Sequence, residues 1–150
     1  MGWRRLGQIF CAHGQRPWMA SHAAVPFAER VEGDLFRIYF SSRDGSHRSH
    51  TGWVLIDIKE PSRILELSPA PVIAPGELGC FDDSGAMATW ITSIGTTRYL
   101  YYIGWNLGVT VPFRNALGLA ISVDGGPFLR HAQGPILDRT AREPHFVASA

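Results

Sequence analysis

A period of about sixty residues repeats along this chain, and it constrains the fold more than any other feature of the sequence. Equivalent positions recur at nearly this spacing: Asp83 lies 61 residues after His22, Glu143 lies 60 after Asp83, Gly118 lies 66 after Gly52, and Pro135 lies 64 after Pro71. Such a period predicts that one small supersecondary unit is copied along the chain and buries its faces against its neighbours.

Each unit contains four short apolar segments bounded by turn residues, which is typical of β-strands. In the first unit these segments are Ser21–Phe27, Phe36–Ser41, Gly52–Asp57 and Ser68–Ile73. In the second unit they are Asp83–Thr89, Tyr99–Gly104, Gly118–Ser122, and Phe128–Arg130 leading into Gly134–Leu137. A third unit begins at Glu143.

Four short strands per unit predict an all-β fold built from β-propeller blades, which are antiparallel sheets packed against one another. We expect one partial domain over residues 1–150, with blade 1 at about 20–76, blade 2 at about 82–140 and the start of blade 3 from 143. About two and a half blades cannot close a ring, so we expect the remaining blades on a longer parent chain. Residues 1–19 form the lead-in, and Trp3 to Phe10 is predicted to be the strand that closes the ring.

Composition and charge exclude several classes of protein. The 14 Lys and Arg residues nearly balance the 13 Asp and Glu residues and form no run, which argues against a nucleic-acid groove. No segment resembles a signal peptide or a membrane span, so we expect no membrane partner. Cys11 and Cys80 are too few for a disulfide scaffold or a structural zinc site, and we expect buried thiols in a reducing, cytoplasmic compartment.

The blade geometry sorts the polar residues onto two rims. When the first strand of a blade runs along the central axis, the opening of the unit and the loop between its second and third strands share one rim. On that rim we place His22, Asp83 and Glu143 at the openings, and Arg43, Asp44, Trp105 and Asn106 in the loops. The turn Asp124–Gly126 falls on the opposite rim.

Asp83 and Glu143 open adjacent repeats and would both point at the axis. Crowding and partial burial push the pKa values of such carboxyls apart, so that one serves as a general acid while the other stays ionised. The alternative is that Asp83 caps a turn and Glu143 ends a loop before Pro144. Asp82 competes with Asp83, because a shift of one residue exchanges the side chain that faces inward.

Three features of the loops suggest binding chemistry. Arg43 beside Asp44 suits sugar hydroxyls or a phosphate, and equally suits a surface salt bridge. Trp105 followed by Asn106 offers an apolar platform with an adjacent amide, which fits the face of a pyranose ring. His47 and His50 lack a nearby third ligand, so we predict no metal and no cofactor.

Together these segments resemble the five-bladed β-propeller glycosidases around glycoside hydrolase family 43, including arabinanase-, xylosidase- and levanase-like proteins and the mannoside phosphorylases. The segments that carry the resemblance are Trp18–Pro26, Phe81–Gly85, Tyr99–Asn106, Gly118–Gly126, and Gly134–Leu137 ahead of Glu143 and Pro144. The resemblance implies a five-bladed propeller that holds an oligosaccharide or glycoside in a central funnel lined by carboxylates. It implies that Glu143 is the general acid and that Asp83 is the base or a supporting carboxylate.

The first opening departs from this pattern, because His22 stands where such enzymes carry an aspartate. Three alternatives follow: His22 is the base, the missing carboxylate lies in further blades, or the reaction is not hydrolysis. A phosphorylase needs no base to activate water, and Arg43, Arg48 and His50 would hold its phosphate. A propeller that binds saccharide without cleaving it is the non-enzymatic alternative. For the isolated 150 residues we predict little or no activity.

Overall fold

The computed structural model describes residues 2–145, and within this range all regular secondary structure is β. The strands are β1 (Ser21–Glu32), β2 (Leu35–Arg43), β3 (Ser49–Asp57), β4 (Ile64–Leu67), β5 (Gly85–Ile94), β6 (Thr97–Leu107), β7 (Phe113–Val123) and β8 (Leu129–Arg130). The all-β prediction is confirmed. Across these residues, no helix has the length and hydropathy needed to span a bilayer.

The strands form one mixed sheet of eight strands, in the order β1-β2-β3-β5-β6-β7-β8, with β4 paired to β3. Every neighbouring pair is antiparallel except β3 and β5, which are parallel and share the single residue pair Ser49 and Gly85. The first repeat (β1–β4) and the second repeat (β5–β8) are therefore two antiparallel groups that meet at one point of the sheet.

The sequence period reappears as a repeated pair of backbone bridges. Thr51 bridges Ile73 in the first repeat, and Leu117 bridges Leu137 in the second. In each case the strand residue donates its N–H to the partner carbonyl, at 3.0 and 2.9 Å respectively. These bridges have the same sequence spacings as the repeated glycines and prolines, so the two repeats share their local geometry.

Two predicted strands are not found where the sequence places them. The fourth strand of the first repeat is Ile64–Leu67 rather than Ser68–Ile73, because Pro69 and Pro71 have no N–H to donate to a ladder. Residues 3–10 form no strand, and Phe10 instead packs on Phe40 with ring centroids 5.0 Å apart. The pairing of this segment with a last blade stays a prediction. Most of the predicted third unit, from residue 146 onward, lies outside the described residues.

Two apolar clusters support the sheet. The first joins the N-terminal segment to β2 and β3, and its buried members are Ala12, Trp18, Met19, Phe40, Val54 and Ile56. The second lies mainly within β5–β7, and its buried members are Ile73, Ala86, Ala88, Leu100, Tyr102 and Ala120. Cys11 and Cys80 are free and half-buried, less buried than the sequence suggested.

Polar and aromatic contacts join the two repeats. Phe27 on β1 stacks on Tyr39 of β2, with centroids 4.9 Å apart, and Phe27 also contacts Trp90 of β5. Glu29 on β1 accepts hydrogen bonds from Arg98 on β6 at 2.6 and 2.7 Å. These contacts hold the two groups of strands in a defined relative position, which sets the geometry of the rim described next.

Candidate functional site

One continuous row of paired residues crosses both repeats at one edge of the sheet. Successive Cα partners along it are Ser21, Arg43, Ser49, Gly85, Trp105 and Asn115. Arg43 and Trp105 belong to the row, and His22, Asp44 and Asn106 are each one residue from it along the chain. Asp83 precedes Gly85 by two residues. We call this edge the Trp105 rim.

The rim contains a small pocket between the repeats. Its volume is about 120 Å³, and it is lined by Arg43, Met87, Trp105, Phe113 and Asn115. The Arg43 guanidinium lies over the Trp105 ring, 6.0 Å from its centroid. Arg43 forms no ion pair with any residue in the range 2–145, so its charge is available at the pocket.

A glycine allows Trp105 to lie close to the strand junction. A Cβ atom on Gly85 would overlap Nε1 of Trp105 and come 2.6 Å from the Cβ of Ser49. No real side chain tolerates such contacts. The one parallel residue pair of the sheet therefore depends on Gly85, and so does the position of the indole ring.

A second pocket, of about 130 Å³, adjoins the first. Its lining residues are Phe81, Asn106, Arg114, Asn115, Ala116, Asp138 and Arg139. Asn115 lines both pockets and so connects them. Asn106 also approaches the Cys80 carbonyl, with its Nδ2 atom 3.5 Å from that oxygen.

Asp82 and Asp83 have different surroundings, although they are neighbours in the chain. Asp82 is buried, and its Oδ2 accepts hydrogen bonds from Nε of Arg130 at 2.9 Å and from the Tyr102 hydroxyl at 3.2 Å. Burial, and then the Asp82 charge, raise the pKa of Tyr102. Asp83 is half-buried and accepts hydrogen bonds from the Gly79 N–H and the Ser84 hydroxyl. Asp82 is therefore buried within the second repeat, whereas Asp83 stabilises the turn before β5 and stays at the rim.

Asp44 organises the loop between β2 and β3. Its Oδ1 accepts hydrogen bonds from the backbone N–H groups of Ser46 and Arg48, and its Oδ2 pairs with the Arg48 side chain and with Nε2 of His50. Partial burial opposes ionisation of Asp44, but hydrogen bonds from His50, Arg48 and Ser46 outweigh it and lower its pKa to about 2. Arg43, Arg48 and His50 are the residues predicted to hold phosphate. Arg48 and His50 pair with Asp44, so Arg43 is the one of the three that has no carboxylate partner among the described residues.

His22 is exposed at the start of β1 in a strained conformation. Its φ is 68°, in the left-handed region that side chains other than glycine seldom adopt. Nδ1 of His22 lies 2.8 Å from the Ser21 hydroxyl. The register of β1 against β2 shifts between Ser21 and Ala24, and such irregularities redirect side chains at the ends of sheets.

Glu143 is exposed in the last described turn. Its N–H donates to Oγ1 of Thr140 at 3.0 Å, and its carbonyl accepts from the Thr140 N–H. Among residues 2–145, no hydrogen bond or ion pair joins Glu143 to Asp83 or His22. The same residues contain no group of three His, Cys, Asp or Glu side chains arranged to hold a metal ion.

The sequence interpretation missed several pocket residues. Met87, Arg114, Asn115, Asp138 and Arg139 were not singled out as site residues, although they line the two pockets. The third strand of the second repeat was expected to start at Gly118, whereas β7 begins at Phe113. A β6–β7 hairpin predicted at its full length would have paired Trp105 with Asn115 and Asn106 with Arg114. That pairing would have identified Arg114 and Asn115 as candidate site residues.

Comparison with known proteins gives two close sequence relatives. No family model matches the chain. Two Mycobacterium tuberculosis proteins are each 48% identical to it over 144 residues: Uncharacterized protein Rv1502 of strain ATCC 25618 / H37Rv and Uncharacterized protein MT1551 of strain CDC 1551 / Oshkosh. The match covers 96% of this chain but 48% of each relative, so the chain spans about half the length of the curated relatives it matches.

The solved structure of a BT0996 RGII complex has a similar backbone. The TM-score is 0.55 at 17% sequence identity, over 75% of this chain and 37% of the BT0996 polypeptide. The two proteins share a fold. At this identity the likeness concerns the arrangement of the strands alone.

Proposed function

We propose that this chain is part of a five-bladed β-propeller protein that binds a saccharide at the Trp105 rim and cleaves a glycosidic bond there. In this proposal the first repeat is blade 1, at about residues 20–76, the second repeat is blade 2, at about 82–140, and blade 3 starts from 143. Relatives about twice as long supply room for the remaining blades. The half-buried, unpaired cysteines favour a cytoplasmic location.

The register row is the observation that carries the proposal. It brings a tryptophan, an unpaired arginine and two asparagines to one edge, beside Asp83 and His22. An aromatic face next to polar groups fits a pyranose ring with its hydroxyls. The solved neighbour adds support, since it was determined as an RGII complex.

For catalysis we assign Glu143 as the general acid and Asp83 as the base or a supporting carboxylate, with His22 as the alternative base. The hydrogen bonds from Gly79 and Ser84 fix the orientation of the Asp83 carboxylate. Asp138 and Arg139 line the pocket beside Asn106, so the chain passes the rim shortly before it reaches Glu143. Protonation of the leaving oxygen by one carboxyl, with assistance from another, is the general chemistry of glycoside cleavage.

Phosphorolysis is the second candidate, and Arg43 favours it. An arginine without a carboxylate partner, placed over Trp105 at the pocket, offers a charge for an incoming phosphate. In that reaction phosphate attacks the anomeric carbon directly, so no base is required to activate water. A histidine in place of an aspartate at the first opening is compatible with this chemistry.

Saccharide binding by the chain itself is tested first. We expect Trp105→Ala to weaken binding of a neutral oligosaccharide at least about tenfold in titration calorimetry, because it removes the apolar platform. Trp3→Ala is the matched control, since Trp3 is fully exposed in the N-terminal segment. Equal affinity in both variants would remove the Trp105 rim as the binding site.

Turnover is tested on the longer relative Rv1502, since its match to this chain covers 48% of its length. Aryl glycosides and short oligosaccharides are supplied with and without inorganic phosphate, to the wild type and to Asn and Gln variants at the positions aligned with Asp83 and Glu143. Cleavage without phosphate that both variants abolish supports hydrolysis, and a sugar phosphate formed only with phosphate supports phosphorolysis. Retained binding without cleavage in either condition would refute catalysis and leave a saccharide-binding propeller.

A further inference from the structure

A groove of about 270 Å³ lies between the two repeats, away from the Trp105 rim. One wall is formed by Arg37, Tyr39 and Trp53 of β2 and β3, and the facing wall includes Arg98 and Phe128 of the second repeat. The turn Asp124–Gly126 borders it, at the end of the β6–β7 hairpin where Thr97 pairs with Val123. Trp105 pairs with Asn115 at the other end of this hairpin, so the groove and the rim are separate sites.

The groove carries more positive than negative charge. Arg98 is neutralised by Glu29, at 2.6 Å, and also donates to the Tyr39 hydroxyl at 3.0 Å. Arg37 has no ion-pair partner among residues 2–145, and its Nε atom is buried without a hydrogen-bond partner. None of the described residues that line the groove is an aspartate or a glutamate. The guanidinium groups of Arg37 and Arg98 are balanced by one carboxylate, that of Glu29 behind Arg98. The groove therefore has a surplus charge of about +1, which Arg37 carries.

Both arginines are held in place by aromatic rings. The Arg37 guanidinium lies 4.5 Å from the centroid of Trp53, and that of Arg98 lies 4.9 Å from the centroid of Phe128. Stacking of this kind orients the planar group. The N–H edge of Arg98 already binds Glu29, so of the two arginines Arg37 is the one whose N–H groups face no carboxylate among the described residues. Pro69, Pro71 and Pro127 add flat apolar surface along the same groove.

We propose that this groove is a second ligand site, which binds an acidic saccharide with its carboxylate on Arg37 and its ring against the proline and aromatic walls. Charge complementarity selects an anion, and the planar guanidinium matches the two oxygens of a carboxylate. The flat apolar walls favour a sugar ring over a flexible acidic side chain. Ligand pockets generally measure roughly 300–1,000 Å³, so the volume suits a short saccharide better than a large ligand.

The test is titration of the protein with trigalacturonate, its neutral methyl ester, triglutamate and inorganic phosphate. We expect trigalacturonate to bind at least about tenfold more tightly than the other three, and the affinity to fall as salt is raised. No binding of trigalacturonate, or equal binding of triglutamate or phosphate, would overturn the proposal.

Variants locate the site. Arg37→Gln should weaken trigalacturonate binding at least about tenfold, whereas Arg63→Gln, which removes an exposed arginine outside the groove, should leave the affinity unchanged. Ala70→Trp provides a second route, because the exposed Ala70 lines the groove and a large side chain there would fill it without changing the charge. Binding retained in both groove variants contradicts the proposal. Loss of binding in Arg43→Gln alone would place the ligand at the Trp105 rim, which overturns this inference while supporting the proposed function.

Discussion

The hydroxyl of Thr51 on β3 accepts a hydrogen bond from the backbone N–H of Ala88 on β5, at 2.8 Å. The same hydroxyl donates to the carbonyl of Ala86 at 3.0 Å, and the side chain is completely buried. β3 and β5 share only one backbone residue pair, so this one side chain satisfies two polar groups at the junction of the repeats. It adds to the contacts of Phe27 and Glu29 that hold the second repeat against the first.

Thr51→Val should therefore destabilise the protein by about 2–4 kcal/mol, because it leaves a buried N–H and a buried carbonyl without partners while preserving shape. Urea denaturation measures the free energy of unfolding. Thr110→Val, in the exposed loop between β6 and β7, is the matched control and should change stability by less than about 0.5 kcal/mol. A similar loss in both variants would show that the junction does not depend on the Thr51 hydroxyl.

Gly118→Ala should destabilise the second repeat by about 1–3 kcal/mol, since a Cβ there would overlap the Tyr102 ring and force it to move. Gly134→Ala introduces the same methyl group where nothing lies within 4 Å, and it should be close to neutral. Thermal melting of both variants gives the comparison. If the two melting temperatures agree, Tyr102 does not pack against Gly118 as described.

Replacement of Asp82 should cost more than replacement of Asp83. Asp82→Asn leaves Arg130 without its buried carboxylate partner and should lower the free energy of unfolding by about 3 kcal/mol. Asp83→Asn preserves an acceptor oxygen at the half-buried turn and should cost less than about 1 kcal/mol. Denaturant midpoints measure both, and the reverse order would contradict the burial of Asp82 against Arg130 and Tyr102.

Acid should remove the stabilisation that Asp44 provides. The pKa of Asp44 is lowered from 3.8 to about 2 in the folded protein, so the unfolded chain binds the proton more readily. The stabilisation is fully present above about pH 5 and is lost as the pH falls through about 2. We therefore expect Asp44→Asn to be less stable than the wild type at about pH 5 and the difference to shrink towards about pH 2.

The control for this measurement is Asp124→Asn. Asp124 is exposed in the turn after β7, at the end of the β6–β7 hairpin that lies away from the Trp105 rim. The Asp124 carboxylate makes no ion pair or side-chain hydrogen bond within residues 2–145, so this substitution should change the stability at about pH 5 by less than about 0.5 kcal/mol. A difference for Asp44→Asn that stays constant with pH would mean that the carboxylate makes no stabilising contact with His50 and Arg48.

Most of the strands and their repetition could be predicted from the amino-acid sequence. Alternation of apolar residues and the recurrence of Gly52 and Pro71 as Gly118 and Pro135 predicted the segments that form most of the two groups of strands. These signals are local, because a strand exposes one face and buries the other at a spacing of two residues. The same reasoning placed Arg43 and Trp105 on a common rim, which the sheet register brings into one row.

The contacts between polar groups could not be predicted, because they depend on how the folded strands lie against one another. The sequence could not distinguish Asp82 from Asp83, because the choice depends on Arg130, which lies 48 residues later in the chain. It could not show that Asp44 engages Arg48 and His50, or that Asn115 joins two pockets, because hydrogen bonding and pocket shape follow from how strands are juxtaposed. Side-chain periodicity specifies which face of a strand is buried, whereas the partner across that face is specified by packing between segments distant in sequence.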